Sequence, residues 1–245
     1  MENPGYIALS RLIAQQRALD VRAANIANAN TPGYKAESVV FSDYLLKQTG
    51  VTAPPGGQTV QMVQDRATYR DFNAGQLLKT GNPLDLALQE SGFFTVSTAQ
   101  GNRYTRAGRF SMSPLGQIID IAGNPLLGTD GRPITVPPGS GVLTVDGDGG
   151  ISSDGAPIGK FAVVQFDNPQ SLKAEGGTLF SSTQAARPVA QPNVMQGSVE
   201  GANVQGIVEV TQMMAEMREF EFASQFVDGE AQREQTAIDR IGHKS

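Results

Sequence analysis

Cysteine and tryptophan are absent from this 245-residue sequence, and histidine occurs once, as His243. Without cysteine there is no disulfide, no thiol nucleophile and no thiolate-ligated zinc or iron–sulfur site. With a single histidine close to the C-terminus, a His-rich metal centre or a Ser-His-Asp relay lacks its central group. Charge is also sparse: Asp, Glu, Lys and Arg make up 18% of the chain, against about a quarter in an average domain. The net charge is −5, with no basic cluster, which excludes the electrostatic footprint of a nucleic-acid partner. No run reaches the ~18 uninterrupted apolar residues of a membrane-spanning helix. The beginning of the chain, Met1-Glu2-Asn3-Pro4, has no basic stretch leading into an apolar one, and Arg11, Arg17, Asp20 and Arg22 interrupt the apolar residues after it. The expectation is a protein without a cleavable secretion signal, either cytoplasmic or exported by a route that reads none.

What the chain does have is glycine, 28 residues of it, distributed unevenly. Between Asn3-Pro4, a helix N-cap and first-turn pair, and Asn30-Thr31-Pro32-Gly33, a helix stop, there is one glycine, Gly5. Leu9, Leu12, Gln16, Leu19, Ala23 and Ile26 recur there at alternating spacings of three and four, the a/d seam of an amphipathic helix. The other end repeats the pattern. Val210, Met213, Met217, Phe220, Ser224, Val227, Ala231, Glu234, Ile238 and Ile241 keep the same alternation, while Glu209, Glu216, Arg218, Glu219, Gln225 and Arg233 take other faces. At about 1.5 Å per residue the two helices run to roughly 40 and 50 Å, longer than a small domain is wide.

Between them the period changes. Phe93-Phe94-Thr95-Val96, Gln117-Ile118-Ile119-Asp120-Ile121, Val142-Leu143-Thr144-Val145 and Phe161-Ala162-Val163-Val164-Gln165-Phe166 are short apolar or alternating runs. Gly81-Asn82-Pro83, Gly123-Asn124-Pro125, Asp130-Gly131, Asp154-Gly155 and Gly176-Gly177 punctuate them as turns. The expected class is therefore α+β: a discontinuous α-helical coiled-coil module from both termini, plus an inserted all-β domain. The expected boundaries are 1–35 and 200–245 for the helical module, 36–71 and 186–199 for connectors, the stretch from Thr49 to Gln58 included, and 72–185 for the β domain. Two helices alone leave much of each stripe in water and are marginal without neighbours, so the seams call either for the chain's own β domain or for other chains.

Signals for chemistry are mostly negative. Asp146-Gly147-Asp148-Gly149-Gly150 begins like a calcium loop, but the sixth position is Ile151 and the twelfth is Pro157, where glycine and glutamate are required. No phosphate-cradling G-x-x-x-x-G-K-[ST], no G-x-G-x-x-G and no G-x-S-x-G occurs. A pair of acids meeting in the fold, as in glycosidases, stays open. Arg103, Arg106 and Arg109 interleaved with Tyr104 and Phe110 read either as an anion or base-stacking surface or as the solvated face of a hairpin, the simpler reading. Met213, Met214 and Met217 suit a packing seam or an adaptable binding face. Asn25 and Asn28, one turn apart at the end of the first helix, are poor helix formers whose amides can bond neighbouring backbone and fix register.

The run Ala24 to Lys35 resembles the N-terminal signature of the axial proteins of the bacterial flagellum, those of rod and hook. Gly81-Asn82-Pro83-Leu84-Asp85-Leu86-Ala87-Leu88, Gly92-Phe93-Phe94-Thr95-Val96, Arg103-Tyr104-Thr105-Arg106 with Gly108 and Phe110, Gly116-Gln117 and Gly123-Asn124-Pro125-Leu126-Leu127-Gly128 resemble the family's central domain. Gly197-Ser198-Val199-Glu200 with Asn203-Val204, then the Met213 to Glu221 helix, resembles its C-terminal signature. Length and the Tyr69-Arg70-Asp71-Phe72 to Asp85 stretch are most like the proximal-rod branch, with the distal rod close. Met217-Arg218-Glu219-Phe220-Glu221 departs from the Gln-Arg pair common in relatives, and Tyr34 stands where Phe is usual.

The resemblance implies a structural subunit, not an enzyme, with no cofactor and no metal. It implies export in unfolded form by the flagellar type III apparatus and assembly in the periplasmic rod with copies of itself and other rod proteins. The terminal helices would line the inner tube and the β domain would pack outside. The expected subunit contacts are Leu9, Leu12, Leu19, Ala23, Asn25, Ile26 and Asn28 on the first helix, and Val210, Met213, Met217, Phe220, Val227, Ala231, Ile238 and Ile241 on the second. The alternatives are a distal-rod or hook subunit, or, from another class, a secreted β-domain ligand-binding module or hydrolase whose helices form a private hairpin.

Overall fold

A computed structural model describes residues 3–48 and 58–242. Among the described residues two α-helices and many antiparallel strands make a mixed α+β protein. The chain divides into two compact units, one of Met1–Ala27, Glu37–Tyr69 and Gln205–Ser245, the other of Asn28–Ala36 and Arg70–Val204.

The first unit holds helix α1 (Asn3–Ala27), strands β1 (Glu37–Gln48) and β2 (Gln58–Arg70), paired in a two-stranded sheet, and helix α2 (Gly206–Gly242). The region expected as a connector over 36–71 is thus largely strand; of the expected Thr49 to Gln58 linker, residues 49–57 lie outside the described residues. Helix α1 packs against both α2 and β1. Its fully covered side chains, Ala14, Val21 and Asn25, recur at spacings of seven and four and so lie on one face. The last turns of α1 are pinned to the first turns of α2 by Arg22, whose guanidinium reaches Glu209 at 3.1 Å and Glu216 at 3.2 Å. A helix 37 residues long spans about 55 Å.

The second unit is built on a six-stranded antiparallel sheet in the order Lys173–Ala174, Leu179–Ser181, Gly101–Thr105, Phe93–Thr98, Val163–Gln165 and Arg187–Pro188. In its centre Phe94 pairs with Thr105 and Val163 pairs with Phe94. Successive side chains of a strand point to opposite faces. Phe94 accordingly enters one apolar cluster, edge-on to Phe110 at 5.3 Å and Phe161 at 6.3 Å, with Leu86, Val96, Ile118, Leu126 and Ile151. Phe93 enters another on the opposite side, against Phe166 at 5.8 Å, Phe180 at 5.9 Å and Phe72 at 5.9 Å. This two-sided burial is why the run reads as continuous apolar residues and not as an alternation.

The strands do not stop at residue 185. Arg187–Pro188, Val194–Gln196 and Ser198–Glu200 pair with Val163–Gln165, Leu86–Leu88 and Leu77–Lys79, so the expected 186–199 connector belongs to the β body. The Asp154-Gly155 signal makes a two-residue hairpin turn, joining Gly150–Ser153 to Ala156–Lys160. Both turn residues have positive φ, 48° and 82°, as a type I′ turn requires.

Candidate functional site

Three of the sequence signatures meet inside the second unit. Lys35, Arg106 and Glu200 are 0%, 5% and 1% exposed, and they share one carboxylate. Lys35 Nζ donates to Glu200 Oε1 at 2.5 Å and to the Asn73 carbonyl at 2.6 Å. Arg106 Nη1 stands 3.3 Å from Glu200 Oε2 and donates to the Glu90 carbonyl at 2.9 Å. The Gly75 N–H donates to Glu200 Oε1 at 2.9 Å. Two cations thus face one anion. Burial pushes the Lys35 ammonium below the ordinary lysine range, desolvation outweighing the attraction of Glu200. Burial likewise lowers Arg106.

Segment 28–36 is held around this cluster by backbone bonds. Gly33 N–H donates to the Glu200 carbonyl at 2.7 Å, and Ala36 N–H to Asn203 Oδ1 at 2.7 Å. The Ala36 carbonyl accepts from Asp71 N–H at 2.8 Å, and the Lys35 carbonyl from Arg70 Nη1 at 2.9 Å. Gly33 is required twice over: its φ is +72°, and a Cβ there would stand 2.2 Å from the Ala107 nitrogen. The arginine run around Tyr104 is therefore not the expected solvated face. Arg106 is buried, Arg103 is paired with Glu175, and Arg109 is exposed. Neighbouring strand residues point to opposite faces, but Arg106 lies just past its strand, where the chain bends it inward.

On the helices, the anticipated contact residues separate into several environments. Asn25 is wholly buried in its own chain: its amide pairs with both backbone groups of Glu37, Nδ2 donating to the carbonyl at 2.8 Å and Oδ1 accepting from the N–H at 2.9 Å. It docks the end of α1 onto the start of β1 and leaves no surface for another chain. Asn28 Oδ1 accepts from Thr31 Oγ1 at 3.2 Å in the turn that ends α1. Leu12, Leu19, Ile26, Met213, Phe220 and Val227 are half-buried; Leu9, Ala23, Val210, Met217 and Ala231 are exposed. The side chains of Ile238 and Ile241 lie outside the described residues.

Glu209, Met213, Glu216, Phe220 and Val227 share one face of α2, the face that Arg22 meets. A second set was missed by the seam: Ile13 on α1, and Ile207, Val208, Phe222 and Phe226 on α2. With Met214 these are all exposed, Ile207 by 87% and Phe222 by 75%. Their signal in the sequence was their size and polarity off the main stripe, which a single-seam template discards.

The Asp146 to Gly150 stretch is a turn whose Asp148 carboxylate accepts from Lys160 Nζ at 3.1 Å and from the Gly150 N–H at 3.2 Å. Among the described residues no group of three His, Cys, Asp or Glu is placed to hold a metal ion, and no helix is long and apolar enough to cross a membrane. A hollow of about 490 Å³ between Pro137-Pro138 and Ala156-Pro157-Ile158 has one carboxylate in its lining, Asp154. Paired acids, the minimum for glycosidic chemistry, are not assembled there.

Comparison with known proteins gives the same layout. Residues 6–35 match the family described as flagella basal body rod protein, residues 87–153 the flagellar hook protein FlgE/F/G D1 domain, and residues 195–240 the flagellar basal body rod FlgEFG protein C-terminal region. The flagellar basal-body rod protein FlgF of Caulobacter vibrioides is 35% identical over 244 residues, with 99% of each chain covered. FlgF of Mesorhizobium japonicum is 32% identical over 248 residues, with 100% of each covered. The rod protein FlgG of Agrobacterium fabrum is 33% identical over 246 residues, covering 90% of this chain and 92% of its own. The buried Lys35–Arg106–Glu200 cluster joins residues from the signature segments that carried the resemblance, and with whole-length identity to several rod proteins the chain belongs to the flagellar basal-body rod protein family, of FlgF type.

Proposed function

We propose that the chain is a non-enzymatic structural subunit of the flagellar basal-body rod that joins its neighbours through the terminal helices α1 and α2, packed as a coiled-coil module. The observation that carries this reading is the surface of α2. Ile207, Met214, Phe222 and Phe226 are exposed on a helix already covered along another face, a distribution that suits a second layer of helices. Buried on assembly, each would contribute about 1.5–3 kcal/mol. The proximal rod is the proposed position, supported by whole-length similarity to FlgF proteins. The proposed partners are copies of the chain, other rod proteins and the flagellar type III export apparatus. The periplasmic rod is the proposed place, with the helices lining the inner tube and the β body outside.

The test is Ile207→Asp and Phe222→Asp, singly and together, in cells lacking the native copy. Because both side chains are exposed, circular dichroism of the purified variants is expected to match the parent. Incorporation into isolated basal bodies and swimming are expected to be lost, since a carboxylate is costly to bury unpaired. Normal rods carrying the double variant would exclude this helical surface as the subunit contact.

A further inference from the structure

Among the three fully buried charges two cations meet one carboxylate, with the half-buried Asp71 acting on Lys35 from outside the trio, and this inequality has a structural meaning. Glu200 keeps a counter-charge if Lys35 leaves, because Arg106 stands 3.3 Å from Oε2, an ion pair without a hydrogen bond, and the Gly75 N–H donates to Oε1. Lys35 in turn does not depend on Glu200 once it returns to water, where an ammonium is well solvated. Arg106 has no such exit: it is anchored within the β body by the Glu90 carbonyl and lies over the Phe93 ring at 5.6 Å. Of the three charges, Lys35 alone belongs to a segment that buries a single large apolar side chain, Tyr34, and is otherwise docked by polar contacts.

The apolar clusters of the β body are complete without that segment. Their buried members and the residues packed on them run from Phe72 to Val194, and none lies in 28–36. What ties 28–36 down is the buried Tyr34 ring, a handful of hydrogen bonds and the ion pair, and the polar contacts contribute little net free energy and require desolvation of an ammonium. Segments with few buried apolar contacts open locally, well below the free energy of global unfolding.

We infer that Lys35, Glu200 and Arg106 form a latch: the β body folds as a unit around the Glu200–Arg106 pair, and segment 28–36 docks onto it and releases in a separate, reversible step. Glu200 and Asn203 sit on one side of the latch, and Gly33, Lys35 and Ala36 on the other. Closing it brings together parts of the chain separated by 165 residues, so it reports that both the N-terminal and the C-terminal signatures are in place. The second cation is what allows opening without leaving a buried carboxylate unpaired.

Native-state hydrogen exchange on the full chain tests this. The Gly33 and Ala36 amides, bonded to the Glu200 carbonyl and Asn203 Oδ1, report the latch. The Thr95, Leu127 and Ala162 amides, bonded to Ala162, Thr95 and Leu127 carbonyls, report the sheet. The expected result is that the latch amides exchange at least 100-fold faster than the sheet amides, relative to their intrinsic rates, and that low denaturant accelerates the sheet amides but hardly the latch. Phe94→Ala, which weakens the sheet and leaves the docking of 28–36 intact, is expected to speed the sheet amides at least tenfold while changing the latch amides less than twofold. Equal protection of both sets in the parent chain, with equal response to denaturant, would overturn the inference. So would a Phe94→Ala variant in which sheet and latch lose protection together.

Discussion

The unequal positions of the three buried charges make a quantitative prediction for two near-isosteric substitutions. Glu200→Gln removes the carboxylate that both cations face. Lys35 can accompany its segment into water, but Arg106, 5% exposed, is left inside the β body with no anion. Breaking a buried pair from one side costs about 3–5 kcal/mol. Lys35→Met removes the exchangeable cation together with its own desolvation, leaves Glu200 with Arg106, and is expected to cost under about 1 kcal/mol. With a urea dependence of about 2 kcal/mol per molar, Glu200→Gln lowers the midpoint by about 1.5–2.5 M and Lys35→Met by less than about 0.5 M. Against a domain stability of about 5–15 kcal/mol the first loss is a large fraction and the second is small. The reporter for the β body is the near-ultraviolet dichroism of Tyr104, edge-on to Phe166 at 4.8 Å, since there is no tryptophan to follow. Equal midpoints for the two variants, or a Glu200→Gln shift below about 0.5 M, would refute the assignment of Arg106 as the captive charge.

The same geometry carries two further outcomes. Phe94→Ala empties the centre of the sheet between Phe110 and Phe161, where no part of the ring is exposed; the loss is expected to be about 3–5 kcal/mol, seen as a fall of about 9–15 °C in the melting temperature of the β body. The latch is expected to tighten with rising pH. Lys35 faces Glu200, Arg106 and Asp71, and with burial holding it below the ordinary lysine value of about 10.4, the closed form binds fewer protons than the open one in the alkaline window beneath that value. Closing is then favoured as pH rises through the window. Exchange at Gly33 and Ala36, corrected for its intrinsic base catalysis, should slow relative to pH 7, and Lys35→Met should abolish the trend; a slope of the opposite sign would contradict it.

Much of this architecture was legible because local physics agreed with it. The three-four alternation that ends at Pro32-Gly33 and resumes at Val210 marks two helices. Asp154-Gly155 marks a hairpin because its turn needs two positive φ angles, which aspartate and glycine tolerate. The paired strands β1 and β2 were not legible. Glu37–Gln48 and Gln58–Arg70 mix Lys, Gln, Asp and Arg with their apolar residues and have proline and glycine between them, a composition that also suits a linker. The buried cluster was invisible for a different reason. Lysine, arginine and glutamate are almost always exposed unless paired, and nothing within reach of Lys35 along the chain announces that Glu200 will meet it. Lys35, Arg106 and Glu200 each stand in a different family signature, and the three signatures had to fold onto one another before their chemistry could be read.

The helices show the limit of periodicity most clearly. A repeat of three and four residues says that one stripe of a helix is covered, and it is silent about what covers it. Here Arg22 of α1 meets Glu209 and Glu216, and Met213, Phe220 and Val227 on the same face of α2 are half-buried, so part of the predicted seam is covered inside the chain while Leu9, Val210 and Met217 stay exposed. Ile207, Met214, Phe222 and Phe226, off that stripe, are left in water as well. A helix that is apolar on more than one side needs more than one neighbour. The off-pattern residues join the exposed seam members Leu9, Val210 and Met217 as side chains whose burial the folded chain does not supply for itself.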